Sequence, residues 1–161
     1  MSGVRTGLGW DSHRLLAGRR LILGGVEFEG AELGLDGHSD ADVLTHAVID
    51  ALLGAAGLGD IGTHFPDTDD AYKDADSIAL LREVVAAVGA EGWRIVNVDT
   101  TVLMERPKLG ALRPAIGETL ASALGLGVHD VNVKASTGEG MGFVGRLEGV
   151  AALAIATLEQ A

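Results

Sequence analysis

No cysteine occurs in the 161-residue chain, which excludes disulfides and thiolate metal sites; any zinc must be held by histidine and carboxylate. That fits a reducing compartment, and a cytoplasmic location is the expectation. Lysine and arginine are scarce, 12 against 23 aspartates and glutamates, for a formal net charge of −11. Such a balance argues against non-specific nucleic-acid binding and against anionic membranes, since both partners need a basic surface. An anionic substrate would need local cations to overcome that field. No charge-free apolar run reaches the length of about 18 residues that a membrane span needs, and residues 1–20 lack a signal-peptide core, so the chain reads as soluble and unprocessed. Only six residues are aromatic. With 47% hydrophobic residues and 24 glycines, the core must be aliphatic, with tight turns and close backbone contacts. No repeat, low-complexity segment or linker breaks the chain, which predicts one domain over residues 1–161, short enough for an active site to draw on a neighbouring subunit.

What is present is organised around Gly37 to Asp50, the opening of a helix that continues to about Gly57. Ser39 with Asp42 three residues later is a capping-box pattern, a hydroxyl for a free backbone N–H and a carboxylate at the positive helix end. Val43, Leu44, Ala47, Val48, Ala51, Leu52 and Ala55 supply an apolar stripe, while Asp42, His46 and Asp50 share one line beside it. A half-buried imidazole there must be paired, hydrogen-bonded or bound to a metal. Asp42 or Asp50, one turn away, could bond His46.

Residues 4–13 read as a first strand with glycine relief where another backbone or a ligand comes close. On a strand Asp11 and His13 point to the same face, either as surface residues at a strand end or as a two-toothed arm for a divalent cation. With His46 they make two nitrogens and one oxygen, the set of a catalytic zinc with an open position. Arg20 to Phe28 reads as a hairpin turning at Gly24-Gly25, and Gly30 to Gly37 as a glycine-rich loop. His38 and Ser39 stand at the expected helix start, where an anion is favoured. Residues 57–70 look too polar and broken for regular structure, and their carboxylates are either solvated loop charge or a grip for sugar-like hydroxyls.

Further on, helices are expected over Ser77 to Ala90 and Leu112 to Leu124, and strands over Arg94 to Met104 and Val131 to Ala135. Leu147 to Leu158 suits either a helix or a buried strand, and strand is chosen. Glu105 to Leu109 follows a strand and offers Arg106 and Lys108 to an anion. Ser136 to Arg146 presents hydroxyls, backbone N–H groups and Glu139, the inventory of a phosphate loop with a magnesium ligand, or equally of a flexible turn. The order of elements predicts an α+β fold, a mixed β-sheet with helices packed on one face.

Gly7 to His13, His38 to His46, Gly59 to Gly62, Phe65 to Asp69, Arg106 to Leu109 and Val131 to Glu139 stand in one order and closely resemble the 2-C-methyl-D-erythritol 2,4-cyclodiphosphate synthase family. The likeness covers essentially the whole chain. It implies a homotrimer with active sites at subunit interfaces, turning 4-diphosphocytidyl-2-C-methyl-D-erythritol 2-phosphate into the cyclic diphosphate and CMP in the non-mevalonate isoprenoid pathway. By that resemblance Asp11, His13 and His46 bind one zinc per subunit, and Glu139 helps hold magnesium or manganese among the substrate phosphates. His38 and Thr137 would steady the transition state. Ser12 and Ser39 would adjoin the substrate, and Asp60, Ile61, Gly62, Phe65, Pro66, Asp67, Thr68 and Asp69 would line the methylerythritol pocket. Met104, Glu105, Arg106, Pro107, Lys108, Leu109 and Gly110, with Ser136, Thr137, Gly138 and Glu139 of the adjacent subunit, would hold the cytidine diphosphate. Phe143 and Arg146 match positions at an apolar central channel that can take an isoprenoid diphosphate.

Two departures stand out: Gly138 where many members carry a hydroxyl, and Met104-Glu105 where an alanine-glutamine pair is common. The implied chemistry needs no protein nucleophile, because the attacking phosphate is already anionic and two metals can spread the developing charge. Two rival readings use the same residues. One is a zinc hydrolase of phosphate esters, the other a non-catalytic trimeric module binding nucleotides or isoprenoid diphosphates.

Overall fold

The computed structural model describes residues 3–161. A long strand, β1 (Val4–Ala17), leads into the hairpin β2 (Ile22–Leu23) and β3 (Val26–Glu27), a short strand β4 (Leu33–Leu35) and helix α1 (Val43–Ala56). A four-residue helix α2 (Ile61–His64) precedes α3 (Ser77–Ala90) and β5 (Trp93–Leu103). The chain closes with α4 (Arg113–Leu124), β6 (Val131–Ser136), a short α5 (Gly142–Gly145) and β7 (Gly149–Gln160). The main sheet has the order β4-β1-β7-β5-β6, with β5 and β6 parallel and the other pairs antiparallel. This is the α+β, mixed-sheet arrangement that the sequence predicts, and the last apolar segment is indeed a strand, in the centre of the sheet.

Burial alternates along β7 and gives the sheet two unlike faces. Val150, Ala152, Ala154, Ala156 and Leu158 are buried under the helices, and the three alanines leave room for α1 to lie close. Opposite them on β1 stand Gly7 and Gly9, paired with Ala156 and Ala154. A Cβ on Gly9 would come within 1.8 Å of the Ala47 carbonyl oxygen, and one on Gly7 within 2.0 Å of that of Ala51. The glycine relief in β1 thus serves a backbone, that of α1, with direct strand-to-helix packing as the result. The other face carries Leu8, Trp10 and Ile155, exposed by 65%, 52% and 48%, with no element of the described residues over them.

Several local expectations are corrected. The N-cap of α1 is Asp42, which accepts from Thr45 N at 3.0 Å; Ser39 lies outside the helix. Asp42 is fully buried and also takes Gly24 N at 2.9 Å, Gly25 N at 2.7 Å and Thr45 Oγ1 at 2.8 Å, so the hairpin turn is tied to the helix start. The local pattern pointed to Ser39, and these long-range bonds place the cap at Asp42 instead. His38 is therefore not on the first turn. The glycine-rich loop before α1 contains β4, recruited by pairing with Leu15 to Ala17 of β1. Residues 57–70 hold a regular turn after all, because Asp60 caps α2 through Thr63 N and Asp50 Oδ1 takes Ile61 N at 2.8 Å. Among the described residues no helix is long and apolar enough to cross a membrane.

Candidate metal centre

Asp11 and His13 continue the row of Gly7 and Gly9 on the helix-facing side of β1, and the direct contact of that strand with α1 brings His46 onto them. Asp11 Oδ2 is 2.8 Å from His13 Nε2 and 3.1 Å from His46 Nδ1, and the two imidazole nitrogens are 3.2 Å apart. At a tetrahedral zinc with bonds of about 2.0–2.1 Å, neighbouring ligand atoms stand about 3.3 Å apart. The three edges are close to that figure. The His46 side chain bonds neither the Asp42 nor the Asp50 carboxylate.

Hydrogen bonds on the far side of one ring fix what it offers. His13 Nδ1 lies 2.8 Å from the Asp36 carbonyl oxygen, which can only accept, so Nδ1 carries the proton and Nε2 turns a lone pair to the cluster. A lone pair facing a carboxylate oxygen is repulsive unless a cation or a proton lies between them. The donor set, two imidazole nitrogens and a carboxylate oxygen with no sulfur, therefore fits a divalent metal, zinc foremost. Without metal, protons serve: burial resists charge on His13, yet its bond and attraction to Asp11 prevail and raise its pKa. Asp11 shows the mirror effect. Burial alone would raise its pKa, but the two imidazoles lower it from 3.8 to about 2.

The cluster opens on a cavity of about 440 Å³ lined by His38 and Ser39 and by Ile61, Gly62, Phe65, Pro66 and Asp67 of the residues expected for the methylerythritol pocket. Gly37, Tyr72 and Leu80 complete it and were not anticipated. His38 donates from Nε2 to the Asp69 carbonyl at 3.0 Å. Asp60 and Asp69 act locally, capping α2 and the turn at Asp70–Tyr72, and neither they nor Thr68 line the cavity. Ser12 falls on the opposite face of β1 from Asp11 and His13.

A second cavity, about 300 Å³, is lined by Met104, Pro107, Lys108, Leu109, Gly110, Ser136 and Thr137, joined by the unanticipated Arg113 and Ala135. Two segments assigned to different subunits thus meet within one chain, and this cavity shares no lining residue with the first. Glu105 binds Gly138 N at 2.8 Å and Gly140 N at 3.2 Å, bracing the loop from below. Gly138 has a packing reason, since a Cβ there would lie 2.7 Å from Gly145 N and from the Met141 carbonyl. Glu139 lines neither cavity and stands apart from the cluster. Arg106 faces a third hollow with Gly30 to Leu33, and Arg146 pairs with Glu148 at 2.9 Å while Phe143 is 39% exposed.

Fold and cluster define the class: an α+β domain with a His, His, Asp trio able to hold a metal beside a polar cavity. The chain belongs to the YgbB family, whose model it matches over residues 4–159. It is 60% identical over 158 residues to the bifunctional enzyme IspD/IspF of Anaeromyxobacter dehalogenans, covering 98% of this chain and 40% of that one. It is 57% identical over 152 residues to the 2-C-methyl-D-erythritol 2,4-cyclodiphosphate synthase of Symbiobacterium thermophilum, covering 94% and 96%. The chain spans about two fifths of the bifunctional relatives it matches and nearly all of the single-function one. A solved CDP complex of IspF from Plasmodium falciparum superposes with a TM-score of 0.86 at 30% identity, over 98% of this chain and 97% of that one.

Proposed function

We propose that this chain is a metal-dependent 2-C-methyl-D-erythritol 2,4-cyclodiphosphate synthase of isoprenoid biosynthesis, a phosphorus–oxygen lyase acting on 4-diphosphocytidyl-2-C-methyl-D-erythritol 2-phosphate. The observation that carries the reading is the convergence of Asp11, His13 and His46 at the mouth of the 440 Å³ cavity, in a chain of this family. In the reaction an oxygen of the 2-phosphate bonds to the β-phosphorus. The bond from that phosphorus to the oxygen bridging the α-phosphate breaks, and CMP departs with the electron pair. Neither water nor a protein nucleophile enters the balance.

Bound by the trio, a divalent cation supplies positive charge and Lewis acidity for a phosphate oxygen. The chain's residues do the rest. Ile61, Gly62 and Phe65 to Asp67 line the cavity that would hold the methylerythritol, and Met104, Pro107 to Gly110, Ser136 and Thr137 line the one that would hold the cytidine diphosphate, Lys108 and Arg113 supplying charge in an otherwise acidic protein. His38, tethered through Nε2, and Thr137 steady charge as it develops. Glu139 would help hold a second cation, magnesium or manganese, among the substrate phosphates, where it would supply further positive charge.

A substrate that needs both cavities calls for a neighbouring copy, since the two share no wall. The bare sheet face with Leu8, Trp10 and Ile155 supports the homotrimer, with each active site completed across a seam and an apolar channel for an isoprenoid diphosphate near Phe143 and Arg146. Phosphorus NMR after adding the diphosphocytidyl substrate, with and without a chelator, tests the reading. Metal-dependent cyclic diphosphate with equimolar CMP is expected. Inorganic phosphate without cyclic product would point to the hydrolase, and ligand binding without turnover to the binding module.

A further inference from the structure

Behind the cluster lies a second set of polar side chains, Ser77 fully buried and Asp40 half-buried, to which the proposed chemistry assigns no role. His46 Nε2, the ring atom away from Asp11, lies 2.8 Å from Ser77 Oγ at the start of α3. Ser77 is fully buried, and its hydroxyl is 2.5 Å from Asp40 Oδ1. Asp40 in turn accepts Ser77 N at 3.0 Å through Oδ2 and Asp42 N at 3.1 Å through Oδ1. Each contact into Asp40 comes from a donor, so the Ser77 hydroxyl spends its only hydrogen there. Its oxygen can then only accept from His46. Ser39 Oγ, at 3.2 Å from Nε2, is a longer contact on the same side and itself accepts Ala41 N.

We propose that Asp40 and Ser77 are positioning residues that hold the proton on His46 Nε2 and so present Nδ1 as a bare ligand atom to the metal; this rests on the reading of Asp11, His13 and His46 as a metal site. The two histidines are then oriented by unlike means. His13 takes its direction from a backbone carbonyl, which mutation cannot remove, whereas His46 depends on a relay of two side chains, Ser77, 31 residues further along the chain, and Asp40, 37 residues before Ser77. A carboxylate behind a ligating imidazole also makes the ring a better donor, and loss of such partners weakens metal binding by about 10–100-fold.

The relay doubles as packing, because Asp40 fastens the start of α3 to the start of α1. The experiment must therefore separate position from stability. Zinc affinity is measured by chelator competition for wild type, Ser77→Ala, Asp40→Asn and Asp76→Ala. The last removes the neighbouring N-cap of α3, which bonds Ile78 N and does not touch His46. In parallel, nitrogen-15 NMR of ring-labelled histidine reads the His46 tautomer in the metal-free protein at mildly alkaline pH. The expected result is a zinc Kd weakened about 10–100-fold by Ser77→Ala and by Asp40→Asn, no change for Asp76→Ala, and an Nε2-protonated His46 in wild type. Equal weakening in all three variants, unchanged affinity in Ser77→Ala, or an Nδ1-protonated wild-type ring would each overturn the proposal. The NMR arm decides even where a variant fails to fold. Wild-type protein that binds no zinc would refute the metal reading itself, a different failure from zinc binding that ignores Ser77.

Discussion

Replacing Asp42 by alanine should be among the most damaging single changes in this chain, although the residue touches neither cavity. Its carboxylate serves Thr45 N, Gly24 N, Gly25 N and Thr45 Oγ1 from a fully buried position. Thr45 Oγ1 can turn to a carbonyl of its own helix and the exposed Gly25 can turn its N–H to water, but the N–H groups of Thr45 and Gly24 have no substitute. Losing the helix cap costs about 1 kcal/mol, stranding the buried Gly24 N–H about 1.5–2 kcal/mol, and losing the bond to the Gly25 N–H about 1 kcal/mol, so about 3.5–4 kcal/mol in all. For a chain of this length that corresponds to a fall in Tm of about 10–15 °C. Asp42→Asn keeps one accepting oxygen but sets an amide N–H against a backbone donor, and should cost about half as much. Calorimetry or tryptophan fluorescence on heating, at one fixed protein concentration to hold any association constant, reads both variants. If Asp42→Ala lost less than about 1 kcal/mol, or if the asparagine variant were as unstable as the alanine one, the carboxylate would not be the clamp described here.

Other consequences can be checked more briefly. Gly9→Ala would drive a Cβ to 1.8 Å from the Ala47 carbonyl, so the soluble yield should collapse or α1 should lift from β1; a folded variant with unchanged zinc affinity would contradict the close approach. In metal-free protein the raised pKa of His13 gives stability that is present below its unfolded value near 6.5 and fades as pH climbs through the higher folded value. The depressed pKa of Asp11 gives stability present above 3.8 and lost as pH falls toward about 2, worth about 2 kcal/mol for a group 28% exposed. Metal-free protein should thus melt highest in mildly acid solution, while the gain in Tm from zinc should grow with pH as protons leave the ligands; a zinc gain that shrank with pH would reverse the sign of this argument. Trp10→Glu should leave the single chain folded and shift its sedimentation toward monomer, and a fully associated variant would mean that the bare sheet face is not the seam.

How far the chain could be read in advance depended on the range of the forces involved. Asp11 and His13 were legible because a strand repeats every second residue, and His46 because a lone imidazole beside an apolar stripe needs a partner. The start of α1 was misplaced for the opposite reason. Ser39 to Asp42 and Asp42 to Thr45 are both plausible caps over four residues, and only the distant Gly24 and Gly25 decide between them. By sequence Ser77 is only the first residue of an ordinary helix, since nothing within several residues shows that it meets His46. β4 carries too few residues to alternate, and its strand character comes wholly from pairing with β1.

The backbone contact between β1 and α1 has a bearing on how freely this protein can change. Because Gly7 and Gly9 set the strand against the helix with no side chain between, the distance between the backbones that carry Asp11, His13 and His46 is fixed by main-chain contact. Packing of leucines and valines elsewhere in the core is free to drift, one methyl group at a time, without moving the trio. Heat-resistant versions could be sought by repacking around Leu53, Leu81 and Leu120, all fully buried, with the site left at its original dimensions. Two positions that carry no side chain therefore separate the history of the core from the history of the chemistry.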